Sequence, residues 1–349
     1  MMISDLAGDL LEEILCRVPV TYVKLLRSTC KGWNRLFNDS RFRRNFLDKA
    51  AKQFLILDLK EFRLCSVSVN LHGHPSTEVI GKVDLDDSQI NIHQASTCDG
   101  LLLCTIIDDD TRRIVVWNPC TGQTKWIQPR YGKATTGTYT LGSGKNSYKV
   151  LRRLCHDLLG FEICDVSSNS WRTIDAPPGC KLDFRSVSLK GKTYWFDTSE
   201  EHVFLVSFDY TRETFERLSL DAFQIPLLEK IALSVVREEK LSMLLQRPPT
   251  LNCEIWVTDK IDDDETKALS WMKIFTVDYP EAIRSTLLSY SVVDEEKKAV
   301  LICYQRLDHQ PRYNIELSTR VYVVGENYSQ RTDFGGRVYS YVPSFIQFH

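Results

Sequence analysis

Several short groups of polar residues contain the side chains that metal sites use. His72 and His74 flank one glycine, and acidic runs occupy residues 108–110 and 262–265. No Cys or carboxylate stands at a ligand spacing from the two histidines, and neither acidic run has the alternating acids and distal glutamate of a calcium loop. We therefore interpret the histidines as a loop pair and the acidic runs as solvated turns, and we expect no metal or other cofactor.

A nucleophile, a base and an acid are adjacent at Cys155, His156 and Asp157. Contiguous residues of a strand point alternately to opposite faces, so they cannot form a relay from these positions. The segment 142–145 lacks the spacing of a phosphate loop and does not lead into a helical pattern. The sequence therefore predicts no catalytic residue, although side chains from distant segments could still converge without a linear motif.

The first fifty residues have the spacing of short amphipathic helices. One apolar face is formed by Leu6, Leu10, Leu11, Ile14, Leu15 and Val18. Pro19 should end this helix at Val18. Thr21 is expected to cap a second helix over 22–27, Ser28 or Thr29 to start a third over 30–37, and Ser40 to start a fourth through Lys52. Such small helices enclose little core, so we expect another protein to cover part of their apolar surface.

This stretch resembles an F-box. The family pattern is a leucine-proline opening, a Leu-Leu-x-x-Ile-Leu helix, a Leu/Val-Pro-Val break and an Arg-x-x-Cys-Lys-x-Trp helix. The matching residues are Leu6, Leu10, Leu11, Ile14, Leu15, Val18, Pro19, Val20, Arg27, Cys30, Lys31 and Trp33. Ala7 stands where the family usually has proline, which should cost about 1 kcal/mol or less. The alternative is a helical cap over the downstream domain.

The F-box resemblance implies a site for a Skp-type adaptor. The residues at or next to that contact would be Leu6, Leu10, Ile14, Leu15, Val18, Pro19, Val20 and Leu26. Trp33 and Leu36 would belong to the helical core. The pattern does not distinguish the residues that face the partner from those that face the core.

Composition limits the other classes of function. The chain has 349 residues, 43% of them hydrophobic and 26% charged, with a formal net charge of −2. It therefore has no overall basic field for nucleic acid and no apolar run of membrane-spanning length. The eleven cysteines form no CxxC pair, and no secretory signal is visible. We expect buried free thiols in the cytoplasm or nucleus.

After Gln53 the pattern changes to short β-branched and aromatic runs separated by turns. Strands are predicted at 54–59, 101–107, 113–117, 203–208, 241–245, 254–257, 299–304 and 320–324, with hairpin tips at 108–110, 121–122, 167–169 and 190–191. Residues 220–230 could form a short helix or an irregular insertion.

The strands also repeat, because a strand, a polar turn and an aromatic residue recur together. The aromatic positions are Trp126, Trp171, Phe215 and Trp271. Units of four strands at about 40–50 residues are typical of propeller blades, and the segment after Gln53 has room for about six. A lone blade leaves both faces apolar, so blades stack radially, and these aromatic residues should fill the space between neighbours.

The same segment resembles the F-box-associated (type 1) domain of plant F-box proteins. The resemblance rests on Cys98-Asp99-Gly100 followed by leucines, and on Trp117-Asn118-Pro119 with Gly122 closing the next turn. It implies an α+β fold class in which helices and strands occupy separate segments. These are a helical F-box at 1–50, a connection with the first β-strands at 51–90, and a large all-β, kelch-like propeller at 91–349. In that domain the quoted motif residues would be structural.

Together the two resemblances imply a non-catalytic substrate-recognition subunit of a Skp–cullin–F-box ubiquitin ligase. The F-box would bind the adaptor, and through it cullin and a RING protein. The β domain would bind an unknown protein target, with loops around 131–147 and 248–252 as plausible contacts. An adaptor-binding scaffold or regulator outside ubiquitination is one alternative, and a propeller enzyme is another.

Overall fold

A computed structural model of the protein describes most of the chain. The described residues are 8–18, 22–50, 54–70, 76–83, 85, 90–108, 111–130, 137–145, 147–154, 160–175, 177, 179–220, 223, 225–226, 230–246, 252–261, 269–278, 287–296, 298–309, 315–325, 328–334 and 337–348. Within them, four helices precede twenty-four strands. None of these helices combines the length and apolar character needed to span a bilayer.

The helices are short, as their spacing predicts. They are α1 (Gly8–Leu15), α2 (Val23–Thr29), α3 (Lys31–Leu36) and α4 (Ser40–Ala50). The first helix ends at Leu15, three residues before the predicted end. Arg17 N–H donates to the Ile14 carbonyl at 3.1 Å and Val18 N–H to the Leu15 carbonyl at 3.2 Å, so the chain leaves the α-helix through tighter turns.

The predicted start of the third helix is wrong. Cys30 is its N-cap, because the Cys30 Sγ accepts a hydrogen bond from the Trp33 N–H at 3.4 Å. The hydroxyls of Ser28 and Thr29 instead donate back to the Leu25 carbonyl, at 2.7 and 2.9 Å. These bonds keep the two residues inside α2, whose last residue is Thr29.

The strands form six four-stranded antiparallel sheets. Blade 1 holds β1 (Phe54–Lys60), β2 (Arg63–Asn70), β3 (Ser76–Val83) and β24 (Arg337–Ser340); blade 2 holds β4 (Ile92–Cys98), β5 (Leu101–Asp108), β6 (Thr111–Trp117) and β7 (Thr124–Ile127). Blade 3 holds β8 (Gly137–Ser143), β9 (Tyr148–Leu154), β10 (Phe161–Asp165) and β11 (Ser170–Ile174).

The other three blades repeat the same meander. Blade 4 holds β12 (Leu182–Leu189), β13 (Lys192–Asp197), β14 (Phe204–Asp209) and β15 (Thr214–Leu218); blade 5 holds β16 (Lys230–Val236), β17 (Lys240–Gln246), β18 (Asn252–Thr258) and β19 (Trp271–Asp278). Blade 6 holds β20 (Leu287–Asp294), β21 (Ala299–His309), β22 (Ile315–Gly325) and β23 (Tyr328–Phe334). The fold is therefore a small helical segment followed by a six-bladed β-propeller.

Both ends of the β segment build blade 1 and close the ring. The inner strands β4, β8, β12, β16, β20 and β24 each contact the next, and β24 contacts β4. The C-terminal strand β24 pairs with β1, with Asp58 opposite Val338. Residues 51–90, which the sequence sets apart as a connection and first strands, thus supply three strands of blade 1. Such pairing links distant parts of the chain in one sheet and leaves no open gap between the first and last blades.

Six apolar clusters lie at the six contacts between neighbouring blades. The repeated aromatic residues all lie in outer strands, and three behave as predicted. Trp171, Phe215 and Trp271 pack against the clusters between blades 2 and 3, 3 and 4, and 4 and 5. The prediction is wrong for Trp126, which is 42% exposed and whose ring lies 5.2 Å from the guanidinium of Arg113.

The predicted turns agree with the structure where it describes them. Residues 121–122, 167–169 and 190–191 connect β6 to β7, β10 to β11 and β12 to β13. The described residues of the 220–230 segment form no helix. All ten described cysteines are free, and seven of them are buried.

Candidate functional site

The first helix has two adjoining apolar stripes, one that packs on the core and one that is exposed. Leu11 and Leu15, one turn apart, face the protein core, and Leu15 is buried within it. Leu10 and Ile14, also one turn apart, remain 49% and 42% exposed. Because residues four apart share a helix face, the second pair forms an apolar edge with no covering group in the described part of the chain.

The second helix repeats this arrangement. Val23 is buried and Leu26 packs against the same core. Leu25 is 62% exposed, and Tyr22, just before the helix, is 41% exposed. Leu25 was not among the predicted adaptor residues. We call Leu10, Ile14, Tyr22 and Leu25 the exposed apolar set.

The structure divides the predicted adaptor residues into three groups. Leu10 and Ile14 are exposed, whereas Leu15, Val18 and Leu26 pack in or against the core. Leu6, Pro19 and Val20 lie outside the described residues, as does Ala7, which was not one of the predicted adaptor residues. Trp33 and Leu36 pack against the core, as predicted. The described helices thus leave Leu10 and Ile14 uncovered, whereas Leu15, Val18 and Leu26 contribute to the core beneath them.

The helices share their core with the propeller through the C-terminal tail, residues 341–348. The Phe345 ring lies 6.3 Å from that of Phe37 and 5.6 Å from that of Phe46. The Arg43 guanidinium lies 5.4 Å from the Phe345 ring and donates to the Phe37 carbonyl at 2.7 Å. One apolar cluster therefore joins α1–α4, the tail and blades 1 and 2.

The Trp117-Asn118-Pro119 turn binds this tail. The Asn118 side chain is fully buried, and its amide donates to the carbonyls of Ser344 at 3.1 Å and Ile346 at 2.8 Å. Its carbonyl oxygen accepts from the Cys120 N–H at 2.8 Å and the Thr121 N–H at 3.2 Å. One side chain thus shapes the β6–β7 turn and fixes the tail against it.

The Cys98-Asp99-Gly100 turn binds the tail from the other side. Ser344 Oγ donates to the Asp99 carbonyl at 2.6 Å, and Tyr341 OH donates to the Gly100 carbonyl at 3.2 Å. Gly100 has φ +74°, and a Cβ there would lie 2.6 Å from Ser344 Cβ. The family motif therefore needs glycine for both the backbone conformation and the close approach of the tail.

The other motif residues, for which a structural role is predicted, lie in buried or turn positions. Cys98 and Trp117 are buried, and Pro119 is buried beside Asn118. Gly122 closes its turn with φ +75° and lies beside Lys24 of α2. A further contact joins the helices to blade 1, where Tyr22 OH donates to the Ile80 carbonyl at 3.2 Å.

Two buried thiols near this junction, those of Cys104 and Cys120, lie in an unreactive environment. Burial raises the pKa of Cys104 and of Cys120 to about 12. Cys120 Sγ lies 3.7 Å from Tyr341 OH, which is itself buried. Since the thiolate is the reactive form, these residues act as small apolar side chains in the core.

Sequence-predicted polar groups are mostly outside the described residues. This applies to His72, His74 and residues 109–110, 155–157 and 262–265. Gly142 lies in β8 and Lys145 in the β8–β9 turn, not in a phosphate loop. Across the ranges that the structure describes, no three His, Cys, Asp or Glu side chains are arranged to hold a metal ion.

The suggested target loops are described only in part, and some of their residues belong to strands. In blades 2–6, the turns after the first and third strands lie at one end of the propeller. In blade 2 this end holds the tail, so we call it the tail end, and the opposite end the far end. Residues 137–143 form β8 and Asn252 begins β18, so the prediction of loops is wrong there. Residues 144, 145 and 147 lie in the β8–β9 turn at the tail end, whereas residues 131–136, 146 and 248–251 are outside the described residues.

Two family models match the chain. The F-box domain matches residues 3–45, and the F-box associated beta propeller domain matches residues 55–348. An F-box indicates, in general, binding to a Skp-type adaptor. The exposed apolar set belongs to the helices that the first model covers or adjoins, and both tail-binding turns belong to the second.

Curated relatives from Arabidopsis thaliana match nearly the whole chain. Probable F-box protein At5g47300 is 46% identical, over 99% of this chain and 87% of its own length. Putative F-box protein At3g25460 is 44% identical, over 99% and 98%. Putative F-box/kelch-repeat protein At3g22730 is 41% identical, over 99% and 97%. The chain therefore belongs to the family of F-box proteins that carry an F-box-associated β-propeller domain.

Proposed function

We propose that this protein is the target-binding subunit of a Skp–cullin–F-box ubiquitin ligase. Its F-box binds the adaptor, which connects it to cullin and the RING protein, and its propeller binds a protein to be ubiquitinated. The chemistry then belongs to a conjugating enzyme that the complex brings close to the target, and this chain is not catalytic. We place its action in the cytoplasm or nucleus.

The observation that carries this proposal is the pair of apolar stripes on α1. Leu15 is buried, yet Leu10 and Ile14 on the same short helix are about half exposed. Exposed leucine and isoleucine side chains on a helix gain free energy when a partner covers them, at about 25 cal/mol per Å² of apolar surface. An adaptor with an apolar groove is the partner that these residues fit.

The shared core between the helices and the propeller supports the second half of the proposal. Phe345 packs on Phe37 and Phe46 of the F-box, and the same tail is bound by Asn118 of blade 2. A propeller held in this way keeps its target at a fixed position relative to the adaptor. A constant distance favours repeated transfer to the same lysines of the target.

The first experiment measures adaptor binding by the full-length chain. We expect Leu10→Ala/Ile14→Ala to weaken binding of a purified Skp-type adaptor by about tenfold or more, because apolar anchors dominate such interfaces. The matched control is Val79→Ala/Met272→Ala, which shortens two exposed apolar side chains on the outer strands β3 and β19. Equal adaptor affinity in the two double variants would contradict the proposal.

A second step separates a ligase subunit from a scaffold. Purified cullin–RING complex is added to the chain–adaptor pair, and assembly is followed by size-exclusion chromatography. A ligase subunit should join one complex that contains all components and should become autoubiquitinated when the conjugating system is supplied. Adaptor binding without cullin recruitment would instead indicate a scaffold outside ubiquitination.

A further inference from the structure

Five arginines lie together at the far end of blades 2–4, the end of the propeller away from the tail. They are Arg112, Arg130, Arg152, Arg153 and Arg185, which we call the arginine patch. Arg112 follows the β5–β6 turn, and its NH1 donates to the Gly137 carbonyl at the start of β8. Gly137 pairs with Leu154 at the end of β9. The bond from Arg112 of blade 2 therefore reaches the end of blade 3 that carries Arg152 and Arg153.

The patch extends into blade 4 through backbone contacts. Arg153 NH1 donates to the Asp183 carbonyl near the start of β12 at 2.7 Å. Arg130 follows the end of β7 and reaches Thr173 of β11, with NH1 donating to Oγ1 at 3.1 Å. Three successive blades therefore contribute guanidinium groups to one end of the ring.

Two carboxylates neutralise part of this charge. Glu162 is buried and accepts from Arg152 NH1 at 3.0 Å and from Arg130 NH1 at 3.0 Å. Asp183 accepts from Arg185 NH2 at 2.5 Å and from its Nε at 3.0 Å. Three arginines are thus held by carboxylates, and these pairs build a rigid frame.

Arg112 and Arg153 have a different environment. Arg112 NH1 donates to a backbone carbonyl at 3.2 Å, and Arg153 does the same at 2.7 Å. No described carboxylate forms an ion pair with either of them. The Arg112 and Arg152 guanidiniums lie 5.5 and 5.7 Å from the Tyr139 ring. The aromatic ring and the carbonyls orient these side chains without neutralising the charges of Arg112 and Arg153.

A half-buried guanidinium without a carboxylate gains free energy from an incoming anion. Arg112 and Arg153 are each partly exposed, and the Nε of Arg112 is buried with no hydrogen-bond partner. Guanidinium forks match the geometry of carboxylate and phosphate oxygens, and such charge-assisted bonds are stronger than neutral ones. Loss of water around the pair strengthens the attraction further.

We propose that the arginine patch binds an acidic segment of the target protein, through carboxylate or phosphate groups. This proposal rests on the proposed function, since it names the chemistry of the target that the propeller binds. The far end of the ring lies away from an adaptor bound to the F-box, because the helices attach at the tail end. A protein segment fits better than nucleic acid, since the whole chain has a net charge of −2 and no extended basic field.

The test uses the full-length chain in complex with the adaptor and four fluorescent peptides. The first peptide is rich in glutamate, and the second has glutamine at those positions. The third carries phosphoserines, and the fourth carries serines instead. A single-stranded oligonucleotide is added as a fifth probe. Binding is measured by fluorescence anisotropy at low and at physiological salt.

We expect at least one anionic peptide to bind about tenfold or more tightly than its neutral match, with affinity falling as salt rises. Arg112→Gln/Arg153→Gln should remove most of that preference, whereas Arg112→Lys/Arg153→Lys should keep part of it. The control is Arg212→Gln/Arg237→Gln, which removes two exposed charges at the tail end. The control should bind the peptides as the unaltered chain does.

Three results would overturn the proposal: equal binding of anionic and neutral peptides, full binding by Arg112→Gln/Arg153→Gln, or a stronger preference for the oligonucleotide. Adaptor binding by each variant is measured in the same samples. If the chain binds the adaptor but shows no preference for anionic peptides, this inference alone is overturned. Loss of adaptor binding by the unaltered chain overturns the proposed function instead. The comparison of peptides separates carboxylate from phosphate recognition.

Discussion

The side-chain amide of Asn118 donates a hydrogen bond to the backbone carbonyl of Ile346 at 2.8 Å, across 228 residues of sequence. The same amide also holds the Ser344 carbonyl. A family motif in the second blade is therefore a binding site for the C-terminal tail. Because Phe345 of that tail packs against the F-box helices, the motif supports the junction between the two functional parts of the protein.

Asn118→Ala should destabilise the protein by about 2–4 kcal/mol. The change leaves two tail carbonyls and two turn N–H groups without their partner. Only the bond to the Cys120 N–H is fully buried, where an unsatisfied group costs about 1–3 kcal/mol; the other three bonds are part-buried, so water replaces part of their loss. The measurement is the free energy of unfolding in urea. Asn91→Ala, at an exposed position, is the control and should change it by no more than about 0.5 kcal/mol. Similar values for the two variants would show that the tail contacts contribute little.

Phe345→Ala should loosen the F-box from the propeller. Removing a buried phenylalanine ring costs about 3–5 kcal/mol where the core cannot collapse, and here the loss falls on the contact with Phe37 and Phe46. Amides of α4 should exchange with deuterium faster, while those of β13 and β14 in blade 4 keep their protection. The control is Ile346→Ala, since the neighbouring side chain is 37% exposed. Unchanged exchange in α4 would mean that the helices are held by other contacts.

A comparison of two single variants, Gly100→Ala and Gly179→Ala, separates the cost of backbone strain from the cost of steric overlap. Both glycines have positive φ, +74° and +77°, but a Cβ at Gly100 would overlap the tail whereas one at Gly179 meets nothing within 4 Å. The left-handed conformation costs an alanine about 1–2 kcal/mol at either site. Gly100→Ala should therefore lower the free energy of unfolding by at least twice as much as Gly179→Ala. Equal losses would mean that the tail moves aside freely.

Local patterns in the sequence predict the strands, most turns and the propeller, because alternation and turn residues act over a few positions. Trp171, Phe215 and Trp271 could be placed between blades because each recurs at the same point of a repeat. The pairing of β24 with β1 joins the two ends of the β segment, and no local signal shows it. The sequence also could not show that Leu10 is exposed, since the two adjoining apolar stripes of the first helix have the same residue types and spacing.

The tail could not be predicted because it has no regular secondary structure. Its only sequence signal is the spacing of Tyr341, Phe345 and Phe348, three aromatic residues in a short segment after the last strand. Its hydrogen bonds go to turns more than two hundred residues away. The cap of α3 was missed for another reason: Cys30 is a weak acceptor, and the neighbouring Ser28 and Thr29 are better N-cap residues.

Glu238→Gln should make the protein more stable at neutral and alkaline pH. Glu238 lies in the β16–β17 turn, with one carboxylate oxygen buried and without a hydrogen-bond partner. Burial, and then the nearby negative charge of Asp99, raises the pKa of Glu238 from 4.5 to about 7. The folded protein therefore favours the protonated Glu238 side chain. The resulting contribution to the free energy of unfolding is complete below about pH 4.5 and is lost as the pH rises through about 7.

The measurement is the free energy of unfolding of both chains from pH 5 to pH 8. The advantage of Glu238→Gln should grow over this range to about 1–3 kcal/mol, since each pKa unit corresponds to about 1.4 kcal/mol and partial exposure reduces the effect. Glu239→Gln is the control in the same turn. The ion pair with Lys260 lowers the pKa of Glu239, so its ionised form is favoured and is lost only at more acidic pH. The difference between Glu239→Gln and the unaltered chain should stay constant from pH 5 to pH 8. A flat profile for Glu238→Gln as well would show that this carboxylate is solvated in the folded protein.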